Sequence, residues 1–263
     1  MKDSVHTSSE YNEKKRKKRH PIHHVTTLLI FGVFVFSAYK VGSLVKEYYD
    51  NRQVLAEAQT IYVGSQREEM TDDGEPRSQF DHLLAINPDI VGWIEIQGTI
   101  INYPILQSTD NDYYLQHNYL KETARAGSIY LDYRNDIKNF SRNMVIYGHR
   151  MKDGSMFGQL KKYLDEDFYK EHPTILYDTL YESYELEVFA AYKTTTDFYY
   201  IQTDFSNDEA FLQLVEKIQE RSVIPSDIEV TATDQIVTLS TCDYGLDRED
   251  GRLVVHAIVK KNE

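Results

Sequence analysis

The chain has a single cysteine in 263 residues, Cys242. One thiol excludes an intrachain disulfide and leaves only a bond to a second molecule open to it. Basic side chains are also in short supply, 29 Lys and Arg against 42 Asp and Glu, for a net charge of −13. They are unevenly spread: residues 1–24 hold seven Lys and Arg against three Asp and Glu, a net +4, so the rest of the chain carries −17. A body so acidic argues against nucleic acid, whose footprint is a basic patch. No internal repeat occurs, and the acidic residues are dispersed rather than clustered, so neither a metal nor a cofactor is expected. Hydrophobic content of 41% and charged content of 27% are those of a folded soluble body. The 21 tyrosines suit a β-rich fold with amphipathic rings at its surface.

What is present begins with a basic run, K-K-R-K-K-R at 14–19, set before an apolar one. Residues 25–39 carry no charge; Lys40 interrupts, and the run resumes to residue 45. Fifteen residues fall short of the ~20 needed to span hydrocarbon. Counting to residue 45 gives 21, with Lys40 snorkelling towards the interface. A cleaved signal peptide needs a small-residue A-x-A-like site, and V-G-S-L-V-K at 41–46 lacks one. An uncleaved anchor over 25–45 is therefore expected. No cysteine lies near it, which excludes a lipoprotein. The positive-inside rule puts the basic tail, 1–24, in the cytoplasm and everything after residue 45 outside, where thiols meet oxidants.

Residues 47–62 have no Gly or Pro and read as a helix; 64–79 is polar and rich in turn formers, hence a linker, so 46–78 is expected to be stalk and linker. A short helix follows over 80–86. Strands are expected at 90–97, 100–106, 128–132, 143–147, 174–177, 184–194, 228–230, 236–242 and 252–259, with short helical pieces at 157–163 and 167–172. The clearest amphipathic helix is 207–221, with Phe211, Leu214, Val215 and Ile218 on one face and Ser206 or Asn207 as cap. About eight strands with few helices make a mostly β, α+β fold: a closed or nearly closed barrel decorated by helices.

Cys242 ends the strand V-T-L-S-T-C-D at 237–243, in which apolar and polar residues alternate, and it lies on the polar face. The plain reading of a lone cysteine is a small buried hydrophobe. The chemical reading needs a group that favours the thiolate, a proton donor and an oxyanion partner. Of nine histidines, His149 stands at the end of the apolar strand M-V-I-Y-G-H, where Gly148 would allow a tight bend and a polar loop follows. A solvated loop histidine is the alternative there. His256, inside L-V-V-H-A-I-V, reads as a satisfied core histidine. Arg252 begins the next strand and can meet Cys242 across a hairpin; Arg248 lies in the acidic loop between, where solvation is the default.

T-L-S-T-C at 238–242, Arg252 ten residues after the cysteine and Y-G-H at 147–149 together resemble the sortase family. The separation of 93 positions from His149 to Cys242 resembles class B. So do A-Y-K-T-T-T at 191–196 leading into Y-I at 200–201 and T-D-F at 203–205, A-G-S-I-Y-L-D-Y-R-N at 126–135, and a helix in the long loop before the cysteine strand. The resemblance covers about residues 79–263, the expected catalytic domain. It implies a membrane-anchored transpeptidase on the extracellular face that cleaves a C-terminal sorting motif of secreted proteins after Thr. Cys242 would attack to form a thioacyl-enzyme, His149 would move the protons, and Arg252 would hold the oxyanion or position the substrate. Thr196, Tyr200, Ile201, Ser240, Asn111 and Leu115 match groove positions. Asp243 stands where some relatives have Glu. The implied acceptor is an amine of the peptidoglycan cross-bridge or lipid II, or a pilin Lys in the pilus-building version; the resemblance brings no metal or cofactor.

Other thiol enzymes fit less well. A papain-type peptidase places Cys before His, and an L,D-transpeptidase has Arg almost adjacent to Cys. A non-enzymatic, membrane-tethered binding module is the alternative of a different class, and it requires Cys242 to be inert. The sorting motif itself is not legible in the residues.

Overall fold

The computed structural model describes residues 21–65 and 77–260, and the chain divides into two units, Met1–Tyr49 and Asp50–Glu263. The basic tail expected over 1–24 lies almost wholly outside the described residues, as does most of the linker expected over 64–79. In the first unit, helix α1 (Pro21–Ser65) carries the apolar run. Every side chain from residue 25 to 45 is exposed among the described residues, so this stretch of the helix is apolar all round. A helix of that kind suits hydrocarbon rather than water, and it is long and apolar enough to cross a membrane.

In the second unit, residues 50–65 of α1 bury Asn51, Leu55, Ala58, Tyr62 and Ser65, a single stripe at helical spacing. Tyr62 stacks on Trp93 with ring centroids 4.1 Å apart and planes 4° from parallel. Gln59 Nε2 donates to the Asn102 carbonyl at 2.8 Å. The segment expected as a stalk is thus packed on the barrel for its last four turns. α2 (Asp81–Ile86) follows and contributes Leu83 to the same cluster.

Eight strands form the barrel: β1 (Ile90–Glu95), β2 (Asn102–Leu106), β3 (Ile129–Leu131), β4 (Asn143–Tyr147), β5 (Thr174–Thr179), β6 (Ser183–Thr195), β7 (Ile236–Cys242) and β8 (Gly251–Val259). They close in the order β1-β2-β3-β4-β7-β8-β6-β5. Pairing is antiparallel except for β2 with β3 and β4 with β7. The interior is filled by inward residues such as Ile94, Ile105, Met144, Ile146, Val237, Leu239 and Val255. Between β4 and β7 the chain makes a long excursion through a 3₁₀ helix (Phe157–Leu164), α3 (Glu166–Glu171), β5, β6 and α4 (Asp208–Gln219). α4 lays Phe211, Leu214, Val215 and Ile218 on the outside of the barrel, and Asn207 caps it by accepting from the Ala210 amide at 2.8 Å.

One expected strand is absent: 228–230 is not in the sheet. Val230 is buried against the α4 cluster, but β7 is already paired on both sides, by β4 and β8, and a closed barrel leaves no edge to extend. A second expectation is corrected in its reason. Gly148 does not have a left-handed backbone. A Cβ there would sit 2.4 Å from Ile129 Cδ1 and 2.9 Å from Phe157 Cδ2, so the glycine serves close packing beneath His149 rather than a bend.

The polar face of β7 is not a wet face. Thr238 and Ser240 are buried, because α4 and the segment before it cover this side of the sheet. The polarity is satisfied internally. Thr238 Oγ1 donates to Asn143 Oδ1 at 2.6 Å, so it must accept from His256 Nδ1 at 2.9 Å. His256 Nε2 is then the unprotonated nitrogen and accepts from the Tyr192 hydroxyl at 2.8 Å. Asn143 Nδ2 completes the chain on the Tyr200 and Gln202 carbonyls at 3.1 and 2.9 Å. Burial pushes the His256 imidazole down to about 3, so it is neutral.

Candidate active site

Three strand ends meet above this covered face. β4 and β7 run parallel with Tyr147 opposite Ser240, and the Gly148 amide extends the ladder to the Ser240 carbonyl at 3.2 Å. That register carries His149 and Cys242 out of the same edge. β7 and β8 are antiparallel with Cys242 directly opposite Arg252. Cross-strand partners share a face, so Cys242 and Arg252 stand together on the outer face, in line with Ser240–Val254 and Thr238–His256 below them. The close approach at the base of the β7–β8 hairpin depends on Gly251, where a Cβ would fall 2.2 Å from the Asp243 carbonyl oxygen.

Cys242 is a free, half-exposed thiol. His149 is half-buried, with Nε2–H donating to the Leu115 carbonyl at 2.8 Å. Its Nδ1 is the nitrogen left to exchange protons. Arg252 donates Nη1 to the Glu249 and Gly251 carbonyls, both at 2.9 Å, and among the described residues it enters no ion pair. Its charge is therefore positioned by its own hairpin and not neutralised. No hydrogen bond joins the thiol to the imidazole among the described residues. Three tyrosines surround the thiol. The Tyr244 phenol is pushed up by burial and by the nearby Cys242, with Arg252 opposing. Tyr130 and Tyr200 are raised chiefly by burial and sense the same two charges.

Asp243, next to the thiol, is buried and holds the site together. Its Oδ1 meets Arg150 Nη1 at 3.1 Å and its Oδ2 meets Lys193 Nζ at 3.0 Å. The Gly245 amide donates to Oδ1 at 2.9 Å. Burial alone would raise this carboxyl; Lys193, that amide and Arg150 outweigh it and hold it below the usual carboxylate range. The residue after His149 is thus tied to the residue after Cys242, and both to β6.

The six expected groove residues fall into three groups. Asn111 and Ile201 converge on a buried carboxylate, Asp132, and its neighbour Arg134. Asp132 Oδ2 accepts from Asn111 Nδ2 at 3.0 Å, Tyr147 hydroxyl at 2.9 Å and Arg134 Nη2 at 2.8 Å. Arg134 also donates to the Ile201 carbonyl at 3.0 Å and the Tyr199 hydroxyl at 2.8 Å. Burial works against the Asp132 charge, but Arg134, Tyr147 and Asn111 hold the carboxyl below its usual range. Leu115 offers its carbonyl to His149, and its partly buried side chain packs against the cluster around Trp93. The others sit on or under the segment after β6. Thr196 is exposed and donates to Asp250 Oδ1 at 2.8 Å, tying that segment to the β7–β8 hairpin. Tyr200 and Ser240 are buried and bonded to each other at 2.8 Å, beneath the surface rather than on it. His256 and Arg248 are as expected, one in the closed core network and the other exposed.

A family model described as Sortase domain matches residues 94–260. The chain belongs to the sortase family. It is 48% identical over 229 residues to the Sortase B of Listeria monocytogenes, spanning 87% of this chain and 93% of that protein. It superposes on sortase B from Bacillus anthracis in complex with AAEK2 with a TM-score of 0.76 at 60% identity, over 82% of this chain and 98% of that one. It superposes on a Staphylococcus aureus sortase B–substrate complex with a TM-score of 0.75 at 41% identity, over 82% and 99% of the two chains. These relatives make the chain a class B sortase, a cysteine transpeptidase, as the motifs implied. The non-enzymatic binding module is set aside. Within this sortase, the sequence reading missed Asp132, Arg134, Arg150 and Lys193, and it passed over Asp243 as a conservative difference. Each looks like a solvated charge in the sequence, and only the fold supplies its partners.

Proposed function

We propose that Cys242 is the nucleophile of a transpeptidation in which the carbonyl of a sorting-motif Thr is transferred from an amide to a new amine. The observation that carries this reading is the register: parallel β4–β7 pairing and antiparallel β7–β8 pairing deliver His149, Cys242 and Arg252 to one edge of the sheet. The Cys242 thiolate attacks the Thr carbonyl carbon. Arg252, which pairs with no carboxylate among the described residues, faces the developing oxyanion. His149, as imidazolium, gives its proton to the departing amide nitrogen as the C–N bond breaks, leaving a thioacyl-enzyme. An incoming amine then attacks the thioester, passes its proton to His149 and releases the thiolate. Asn111, Leu115, Thr196 and Ile201 line the peptide groove, with Tyr200 and Ser240 as its floor and Asp132 with Arg134 fixing its walls.

The apolar helix supports a single-pass anchor over 25–45, a cytoplasmic tail over 1–24, and a catalytic domain over 79–263 on the extracellular face, reached through 46–78. That placement brings the site to secreted proteins and to amines of the cell wall. The test incubates the full-length chain in detergent micelles, and its Cys242→Ala variant, with quenched fluorescent peptides bearing N-P-x-T-N, S-P-x-T-G and L-P-x-T-G. Cleavage after Thr with an adduct on Cys242 by mass spectrometry is expected. Cleavage that persists in Cys242→Ala would overturn the assignment.

A further inference from the structure

His149 opens a loop that leaves β4 and returns at Phe157, whose amide donates to the His149 carbonyl at 2.9 Å. Arg150 faces Met156 across an isolated bridge at the neck of this loop. Met156 is buried yet has a φ of 53°, a backbone that a side chain adopts only where its surroundings impose it. One flank of the loop is open, since Arg150, Met151, Lys152 and Gly154 line a cavity of about 370 Å³. Packing on that flank does not hold it. The restraint comes instead from the barrel-packed turns of α1. Leu55 shares a core cluster with Met156 and Tyr103. Arg52, one turn earlier, reaches Asp153 at 3.2 Å. Asp153 is suited to join helix and loop. Its Oδ1 accepts from the Ser155 amide at 3.1 Å and the Ser155 hydroxyl at 2.7 Å, which sets the turn, and its Oδ2 faces Arg52. Its side chain is 15% exposed against 60% for Arg52, so the carboxylate is fixed within the loop and the guanidinium comes to it from the helix. The Tyr103 phenol, pushed up to about 12 by burial, feels both charges. At the other end of the loop Arg150 is tied to Asp243, beside the nucleophile. Two ion pairs of opposite sense therefore hold the segment that His149 begins.

We propose that Arg52 is a positioning residue for the reaction. Through Asp153 it fixes the loop 149–157, so that His149 keeps its Nε2–H on the Leu115 carbonyl and its Nδ1 free for the reacting atoms. The inference rests on His149 being the acid and base of the Cys242 reaction. An exposed ion pair adds little to global stability, so its effect is local. A proton donor that drifts with its loop loses alignment with the leaving nitrogen while the barrel stays folded. The catalytic unit then begins within α1, near residue 50, and not at residue 79.

The test uses the full-length chain in detergent micelles, with Arg52→Gln, Arg52→Lys, Asp153→Asn and the Arg52→Gln/Asp153→Asn double variant. The first readout needs no donor peptide. Hydrogen exchange of the peptide covering residues 149–157 should speed up by about three- to ten-fold in Arg52→Gln and stay near native in Arg52→Lys. The second readout adds the donor peptides. Arg52→Gln and Asp153→Asn should each lower kcat by about three- to ten-fold, with KM within about two-fold of native. The double variant should fall no further than the single ones, because the two residues act as one tie. Arg52→Lys should recover kcat to within about two-fold of native, since a single contact needs a cation and not a planar fork. Thermal midpoints should stay within about 3 °C throughout, which separates positioning from loss of fold. Exchange or kcat unchanged in Arg52→Gln, additive losses in the double variant, or a kcat loss that tracks a falling midpoint overturns the proposal. If exchange responds to Arg52 while the native chain cleaves no donor, the tie stands and the catalytic reading is what fails.

Discussion

His256 and His149 are carried by strands of one sheet, and their surroundings show what separates a structural histidine from a candidate catalytic one. His256 has both ring nitrogens bonded inside a closed chain, Tyr192–His256–Thr238–Asn143, and is buried and neutral. His149 has one nitrogen on the Leu115 carbonyl and, among the described residues, no partner on the other, at an edge where a thiol and a guanidinium outside any ion pair among those residues also emerge. Burying polar groups costs free energy unless every one is bonded, and the region under α4 meets that condition. The strand ends above it do not. Bonds left open at the rim are available to a substrate, while the sheet beneath holds the open groups in place.

Exchanging the two histidines for inert residues is the strongest way to break this contrast. His149→Ala should lower peptide cleavage by about 10²–10⁴-fold, the usual worth of general acid–base catalysis, with thermal stability almost unmoved. His256→Gln should do the reverse, costing about 1–3 kcal/mol of stability through unpaired buried groups, while the folded fraction keeps its turnover. Calorimetry beside a cleavage assay reads both; equal losses of turnover in the two variants would dissolve the distinction. The hub at Asp132 lies between the two extremes, being buried like His256 but bonded, directly or through Arg134, to the proposed groove residues Asn111 and Ile201. Asp132→Ala strands Arg134 and should cost about 3–5 kcal/mol in denaturant unfolding. Asp132→Asn keeps the shape without the charge, and should raise the KM for donor peptide more than it lowers kcat. A change in kcat alone would mean that the hub does not set the groove.

Acid sharpens the comparison further. The folded His256 sits at about 3 and an unfolded histidine near 6.5, so the unfolded state binds the proton first. The stability His256 lends is full above about 6.5 and declines as pH falls towards 3, by up to about 1.4 kcal/mol per pH unit. Asp132 and Asp243, whose folded carboxyls are held low, add their own loss only below about pH 4, where unfolded carboxylates begin to protonate. Urea midpoints measured from pH 7 to pH 5 should therefore fall in the native chain and stay flatter in His256→Gln. Parallel slopes in the two proteins would mean that His256 is not the group titrating.

The sequence made the local elements plain and the long-range ties obscure. β4 and β7 appear at their expected limits, because alternation and flanking turns are properties of adjacent residues. Asn207 was readable as a cap for the same reason. The proposed triad was legible only through family resemblance, since a thiol, an imidazole and a guanidinium far apart in sequence are joined by strand register alone. The strand expected at 228–230 failed because β-propensity cannot say whether an edge is free. Asp132 binds partners 15 and 21 residues away, and Arg134 reaches 65 and 67 residues on, so D-Y-R looks like an ordinary polar strand end. Asp243 was similarly concealed. Its neighbour Cys242 drew the chemical reading, while its own partners, Arg150 and Lys193, lie on other strands or loops.

The smallest expected effect sits on the most exposed of these ties. Thr196 bonds Asp250 twice, through its hydroxyl at 2.8 Å and its amide at 3.1 Å, and water competes for both groups. Thr196→Val removes the hydroxyl bond and leaves the amide bond, so stability should move by no more than about 0.5 kcal/mol. If the segment after β6 is a wall of the groove, the same variant should still raise the KM for donor peptide by about two- to five-fold, because a wall loosened at the rim costs alignment rather than folding. Asp250→Asn in the otherwise native chain keeps an acceptor for the hydroxyl and should retain most of the native KM. An unchanged KM in Thr196→Val would place the working part of the groove deeper, at Asn111 and Ile201, where the Asp132–Arg134 hub rather than the hairpin sets its shape.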